Sequence, residues 1–397
     1  MKTFRFGIIG CGLMGREFAS AAARWCHLTE PAARPEIVAI CNRSAKPFDW
    51  FTTNFPSITQ TTHDYRELLA NDEVDAVYIA LPHDRHAETY VAAIEAGKHL
   101  MGEKPFGIDR EANEQINAAI AEHPEIVVRC VSQFPFFPAV QAIGGMIERG
   151  EFGRILAVDS CFLHSSDLNV DKPINWKRTI EQNGAYGVMG DLGMHACHVP
   201  LRAGWRPRSV SAVLDNVVTE RWSDKDKRNK VPCETWDNAT LLIEAEASGS
   251  GDAFPWTLRT FRIAPGEKNS WGVEVQGTRA CARWNSRDAK TLELLRYDPA
   301  GGGEQTWQRV QTGYDTAYPT VTGPIFEFGF TDAILQMWAG YLHELAGETP
   351  PSRFAGCATP DEASWSHAIF TAALASHREK TRAAIAAPRY LATTPTV

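Results

Sequence analysis

The first third of the chain alternates short apolar runs with stretches of helical period. Runs of strand length lie at 4–9, 36–41, 76–81, 99–103 and 126–132. Between them, 14–25, 86–96 and 109–122 repeat their apolar positions every three to four residues. Asp109 stands where a helix N-cap belongs, and Gly97 where a helix ends. Strands alternating with helices build a parallel sheet. After about residue 150 the period becomes two, over 155–162, 209–218, 240–245, 256–263 and 272–284. Such alternation suits an antiparallel or mixed sheet with one covered face, and Gly277-Thr278 reads as a hairpin turn inside the last stretch. Two amphipathic segments, 331–346 and 361–381, close the chain, and 301–303 is a short glycine tract.

The first strand runs into Gly10-Cys11-Gly12-Leu13-Met14-Gly15, and a helix opens there. In a strand–turn–helix context this spacing binds a dinucleotide. The first glycine allows the tight turn, the second lets the backbone approach a pyrophosphate, and the third lets helix and strand pack closely. The fold expected is therefore α/β, with a Rossmann domain of doubly wound parallel sheet at 1–134. An α+β domain follows at 135–388, for substrate binding and oligomerisation, with a large open, mostly antiparallel sheet. A loose tail is expected at 389–397. Where the second strand ends, the residues are Asn42-Arg43-Ser44, with no carboxylate to repel a 2′-phosphate. That composition points to NADP(H), with Arg43 on the phosphate. NAD(H), with Asn42 on the ribose hydroxyl, is the alternative.

Composition narrows the class. The net charge is −8, so a nucleic-acid surface is not expected, and the one basic run at 225–230 is interrupted by Asp226. Nine cysteines occur without paired spacing, which fits reduced thiols in a cytoplasmic protein. No stretch is apolar enough to span a membrane, and no secretory leader is evident at Met1. Eight of the twelve tryptophans fall between Trp176 and Trp307, and most are expected in the core of the second domain. Trp176, beside Lys177 and Arg178, is the one expected to line a cleft.

Ligands of a doubly wound sheet lie off the carboxyl ends of its strands. That places Leu81-Pro82-His83 with His86, Glu103-Lys104, and Gln133 near the nicotinamide, with Trp176 as a further cofactor contact. Farther along stands Gly190-Asp191-Leu192-Gly193-Met194-His195, where Asp191 and His195 share a face if the segment is helical. Together these features resemble the Gfo/Idh/MocA oxidoreductases, the glucose–fructose oxidoreductase and inositol dehydrogenase family. The resemblance rests on the glycine run, the strand-end Pro82-His83, and the stretch from Ala96 to Pro105. It continues through Pro138-Ala139, Trp176, the Asp191/His195 pair and Gln276-Gly277-Thr278. It implies hydride transfer between a nicotinamide and a secondary hydroxyl of a sugar, polyol or related carbohydrate.

In that reading Lys104, Asp191 and His195 form the catalytic trio. His195 serves as general base, Asp191 orients it, and Lys104 stabilises alkoxide charge. Trp176, Lys177, Tyr186 and His198 join Lys104 and His195 as substrate candidates, and no metal is expected. Four departures from the family pattern cluster on the substrate side: His83, Pro135 in Gln133-Phe134-Pro135-Phe136, Ala185-Tyr186-Gly187, and His198. Two other functions fit the same residues, an NAD-dependent glycosidase using transient ring oxidation and a non-catalytic nucleotide sensor. A homo-oligomer, dimer or tetramer, is expected from an uncovered apolar sheet face.

Overall fold

A computed structural model describes residues 1–247, 251–298, 300 and 305–391. The glycine tract at 301–303 and the tail beyond residue 391 lie outside the described residues. The chain divides into two compact units, residues 1–137 with 314–360, and 138–313 with 361–397.

The first unit holds a six-stranded parallel sheet. Its strands are β1 (Lys2–Ile9), β2 (Ala33–Cys41), β3 (Gln60–Thr62), β4 (Ala76–Ile79), β5 (His99–Gly102) and β6 (Val128–Cys130). They lie in the order β3-β2-β1-β4-β5-β6, the doubly wound arrangement expected. Phe6, Ile8, Ile40, Ala76, Val77 and Ile79 are fully buried, because helices cover both faces of a parallel sheet. The helices of the first 137 residues are α1 (Leu13–Ala23), α2 (Phe48–Asn54), α3 (Tyr65–Leu69), α4 (His86–Glu95) and α5 (Arg110–Glu122). Asp109 caps α5 by accepting from Ala112 N at 2.9 Å.

Residues 314–360 return to this unit, a segment that a linear two-part division does not include. Its long helix runs Phe330–Leu345 and stacks Trp338 on Phe18 of α1, ring centroids 3.7 Å apart. Arg24–Asp332 and Arg129–Glu344 ion pairs pin it, and Cys130 N donates to Ala358 O at 2.8 Å.

The second unit is built on a nine-stranded sheet. In chain order its strands are β7 (Ile155–Leu163), β8 (Arg206–Asp215), β11 (Asn238–Glu246), β12 (Ala253–Phe261), β13 (Ser270–Gly277), β14 (Ala280–Asn285), β15 (Thr291–Arg296), β16 (Gln308–Gln311) and β17 (Ala383–Ala384). A small separate hairpin pairs β9 (Glu220–Trp222) with β10 (Lys230–Pro232). The order is β16-β15-β14-β13-β7-β12-β11-β8-β17, antiparallel except for the β7–β12 pair. Leu241, Leu258, Val273 and Trp284 share the buried face with Ser160 of β7. The helices of this unit are α6 (Pro138–Glu148), α7 (Ile180–Asn183), α8 (Met194–Arg202) and a long C-terminal one over Pro360–Glu379. The opposite face carries Asp159, Arg259, Glu274, Arg283 and Glu293 on its middle strands. Self-association through an apolar sheet face was the expectation; the middle strands present charge instead.

Candidate functional site

The three glycines of the first turn do three different jobs. Gly10 holds φ at +103°, and a Cβ there would stand 2.3 Å from Ala80 O. A Cβ at Gly15 would stand 2.4 Å from Gly10 O, so only hydrogen lets α1 approach β1. Gly12 differs: its φ is an ordinary −77° and a Cβ would meet nothing within 4 Å. The folded chain does not need glycine there, whereas a pyrophosphate docking at the α1 N-terminus does. Leu13 beside it is 73% exposed, unusual for leucine opening a helix against a sheet. Met14 is partly buried. Burial pushes the Cys11 thiol up to about 12, so it stays protonated, with its Sγ 3.6 Å from Cys41 O.

Asn42 closes this turn from below. Its Oδ1 accepts from Cys11 N at 3.2 Å, and its Nδ2 donates to Ser44 O at 2.8 Å. The expected ribose contact is thus already engaged as a latch between β2 and the glycine turn. Arg43, Ser44 and Lys46 are exposed beyond it, and no carboxylate lies in 42–46. Lys46 is a second cation that the motif reading passed over.

Two expected cofactor contacts are buried and engaged with the chain's own groups. His86 is fully buried, with Nδ1 2.7 Å from Pro105 O and Nε2 3.0 Å from Leu81 O. Burial holds its pKa down at about 4 against those two carbonyls, which favour the charged ring. Burial wins, and the neutral ring, able to donate to only one of these carbonyls, is packed between the end of β4 and the turn after β5. Glu103 is buried too, its carboxylate accepting from Tyr78 OH at 2.7 Å and from Lys104 N at 3.3 Å. It shapes the turn that carries Lys104. His83, 3% exposed, packs 5.6 Å from the His86 ring. Past β6, the Gln133 Oε1 and Ser132 Oγ atoms are buried and lack a hydrogen-bond partner. Orphaned buried acceptors are costly, and a ligand carrying a donor would satisfy them.

The second unit assembles a charged cluster around Asp191, which is 1% exposed. Lys177 Nζ donates to its two oxygens at 2.9 and 2.8 Å, and Arg262 donates to Oδ2 at 3.1 Å. Arg262 also donates to Lys177 O at 3.1 Å. Asp191 sits in a π-helical turn, Met189–Gly193, that runs directly into α8; such turns recur at functional sites. A Cβ at Gly193 would strike the Phe370 ring at 2.4 Å, so this glycine admits the C-terminal helix. His195 follows, 4% exposed, anchored by Trp271 Nε1 donating to its carbonyl at 3.0 Å. The Phe162 ring lies edge-on to both His195, at 5.6 Å, and His164, at 6.0 Å. Burial pushes His164 down to about 4, opposed by the nearby Asp191.

Motif reasoning missed His164 and Arg262. Strand parity points to both: Trp256, Leu258 and Thr260 face inward on β12, and Arg262 continues that parity as Val158, Ser160 and Phe162 lead to His164. A charged or titratable residue on the inward side of a strand end is the available signal.

Two substrate candidates lie in the interior. Tyr186 is 3% exposed, its hydroxyl 2.6 Å from Thr371 Oγ1 in the C-terminal helix. His198 is fully buried, 3.8 Å from Glu362 and held neutral by burial at about 4. Both pack the interior, Tyr186 from the turn that precedes the π-helical segment and His198 from α8, each facing the C-terminal helix. Trp176 and Lys177 remain partly exposed, with the ammonium 5.5 Å from the indole centroid. The two cations on Asp191 leave it a poor ligand for a metal ion, and no metal-binding group of three or more His, Cys, Asp or Glu occurs among the described residues.

Residues 4–129 match the sequence model of an oxidoreductase family with an NAD-binding Rossmann fold, GFO_IDH_MocA. Residues 140–283 match the GFO/IDH/MocA C-terminal domain. Levoglucosan dehydrogenase of Pseudarthrobacter phenanthrenivorans is 25% identical over 351 residues, 83% of each chain. Trans-1,2-dihydrobenzene-1,2-diol dehydrogenase of Mus musculus is 25% identical over 213 residues, 53% of this chain and 59% of that protein. A solved levoglucosan dehydrogenase in complex with NADH shares the fold at a TM-score of 0.85, with 22% identity over 97% of this chain and all of that one. No helix among the described residues is long and apolar enough to cross a membrane.

Proposed function

The chain belongs to the GFO/IDH/MocA oxidoreductase family, and from that premise we propose that it moves a hydride between a nicotinamide and a secondary hydroxyl of a sugar, polyol or related carbohydrate. The observation that carries this reading is the open space before Gly12, which the folded chain itself does not require. The α1 N-terminus and the Gly10–Gly15 backbone would hold the pyrophosphate there. Gln133 and Ser132 offer acceptors to a bound carboxamide or ribose. Arg43, with Lys46 nearby and no carboxylate, favours a 2′-phosphate and hence NADP(H), although the levoglucosan dehydrogenase neighbour carries NADH.

The bound nicotinamide supplies the hydride acceptor or donor. His195 takes the hydroxyl proton, the work a positioned imidazole does. Lys104 donates a hydrogen bond to the reacting oxygen and stabilises alkoxide charge. Asp191, held by Lys177 and Arg262, stays a carboxylate and works as a fixed charge rather than as the base. Trp176 offers a flat apolar face to sugar C–H groups. Screening sugars and polyols for reduced-nicotinamide absorbance with NADP and NAD tests the proposal. Substrate-dependent reduction supports it, and its absence across a broad panel, with both nucleotides bound, opposes it.

A further inference from the structure

The cluster around Asp191 extends well beyond the reacting helix. Lys172 pairs with Asp167 at 3.0 Å, and Arg178 lies between Asp167, at 3.8 Å, and Asp237. Arg221 donates to the carbonyls of Asp167 and Asn169 at 2.5 and 2.7 Å. The backbone N of Arg262 donates to Asp237 O at 2.8 Å, which joins this network to Asp191. Four cations thereby pair with three carboxylates, and a fifth, Arg221, holds the backbone carbonyls beside Asp167. The buried part is balanced: Arg178, Arg221 and Arg262 are at most 1% exposed, and Asp167, Asp191 and Asp237 at most 2%. The surplus sits on two lysines whose side chains are 41% and 37% exposed, Lys172 and Lys177.

Charge left over at the rim of a low-dielectric cluster raises the local concentration of counter-ions. The Lys177 ammonium is not a roaming surface charge, since Asp191 fixes its position and the Trp176 ring lies beside it. An indole face next to a fixed ammonium suits a sugar ring bearing an anionic substituent. His164, neutral through burial, adds no charge to the group.

We propose that the carbohydrate substrate carries an anionic group, a carboxylate or a phosphate, and that Lys177 is the residue that selects for it. This rests on the hydride-transfer reading above and names the substrate class within it.

The test is calorimetric titration of the full-length protein, with reduced nucleotide present, using matched series built on glucose, galactose and mannose. Each series contains the neutral sugar, its aldonate and its 6-phosphate. The expected result is that one anionic form binds about tenfold or more tightly than its neutral parent, the size of a charge-assisted hydrogen bond. That preference should weaken as salt is added, vanish in Lys177→Gln and survive in Lys177→Arg. Aldonate against phosphate in the wild type tells which anion is meant. Equal binding of neutral and anionic forms, no binding by any series, or an undiminished preference in Lys177→Gln overturns the inference. Should Lys177→Gln not fold, the wild-type comparison and its salt dependence still decide. Reduction of nucleotide by neutral sugars without anion preference overturns only this inference. Anion-selective binding without any hydride transfer overturns only the functional reading it rests on.

Discussion

The glycine turn makes a prediction in which stability and binding separate. Gly10→Ala forces an L-residue to φ +103° and sets a Cβ 2.3 Å from Ala80 O. The left-handed backbone costs about 1–2 kcal/mol, and overpacking against a strand about 1–3 kcal/mol more. Gly15→Ala meets a backbone oxygen at 2.4 Å, without the φ penalty, and should cost about 1–3 kcal/mol. Gly12→Val has space and an allowed φ, so it should change stability by no more than about 1 kcal/mol, the scale of an N-cap exchange. Its side chain would occupy the space a pyrophosphate needs, and affinity for either nucleotide should be lost. Urea unfolding of the four proteins without nucleotide measures the first part, and calorimetric titration with NADPH and NADH the second. A Gly12→Val protein as destabilised as Gly10→Ala would refute the assignment of that space to a ligand. So would a folded Gly12→Val protein that binds nucleotide normally.

Three further outcomes are expected. Arg43→Ala should weaken NADP(H) by about tenfold or more, as loss of a charge-assisted phosphate contact does, and leave NAD(H) unchanged in the same titration. Asp191→Asn leaves the buried Arg262 without its carboxylate, so it should unfold at lower denaturant, by about 3–5 kcal/mol, and Arg262→Met in the same background should restore part of the loss. His86 and His198 are held near 4, below the ordinary 6.5, so the unfolded chain binds protons that the folded one refuses. Stability is therefore unaffected above pH 6.5 and falls between about 6.5 and 4, by up to about 3 kcal/mol per histidine; a flat unfolding free energy across that range would contradict their burial as neutral rings.

The sheet architecture was legible because period and spacing are local. Apolar runs, the glycine turn and Asp109 each report structure within a few residues. The return of 314–360 was not, since Phe18 meeting Trp338 is a pairing of two ordinary core aromatics far apart in the chain. The site divides in the same way. Lys104, Asp191 and His195 stand in motifs, whereas Arg262 reaches Asp191 across 71 positions and announces itself only by inward strand parity. Tyr186, His198 and His86 looked chemical in sequence, yet they pack inward, because a residue type beside a motif says nothing about which side of the helix faces the core.

Nicotinamide reduction by the wild type, Lys104→Met and His195→Ala proteins with one accepted carbohydrate tests the proposed chemistry most directly. The prediction is that each substitution lowers turnover by about 10²–10⁴-fold, the span of a positioned acid or base, while nucleotide affinity is unchanged. The wild-type pH profile should also show a limb that His195→Ala lacks. Near-normal turnover in both variants would contradict the proposed chemistry even with the nucleotide bound where the glycine turn holds it.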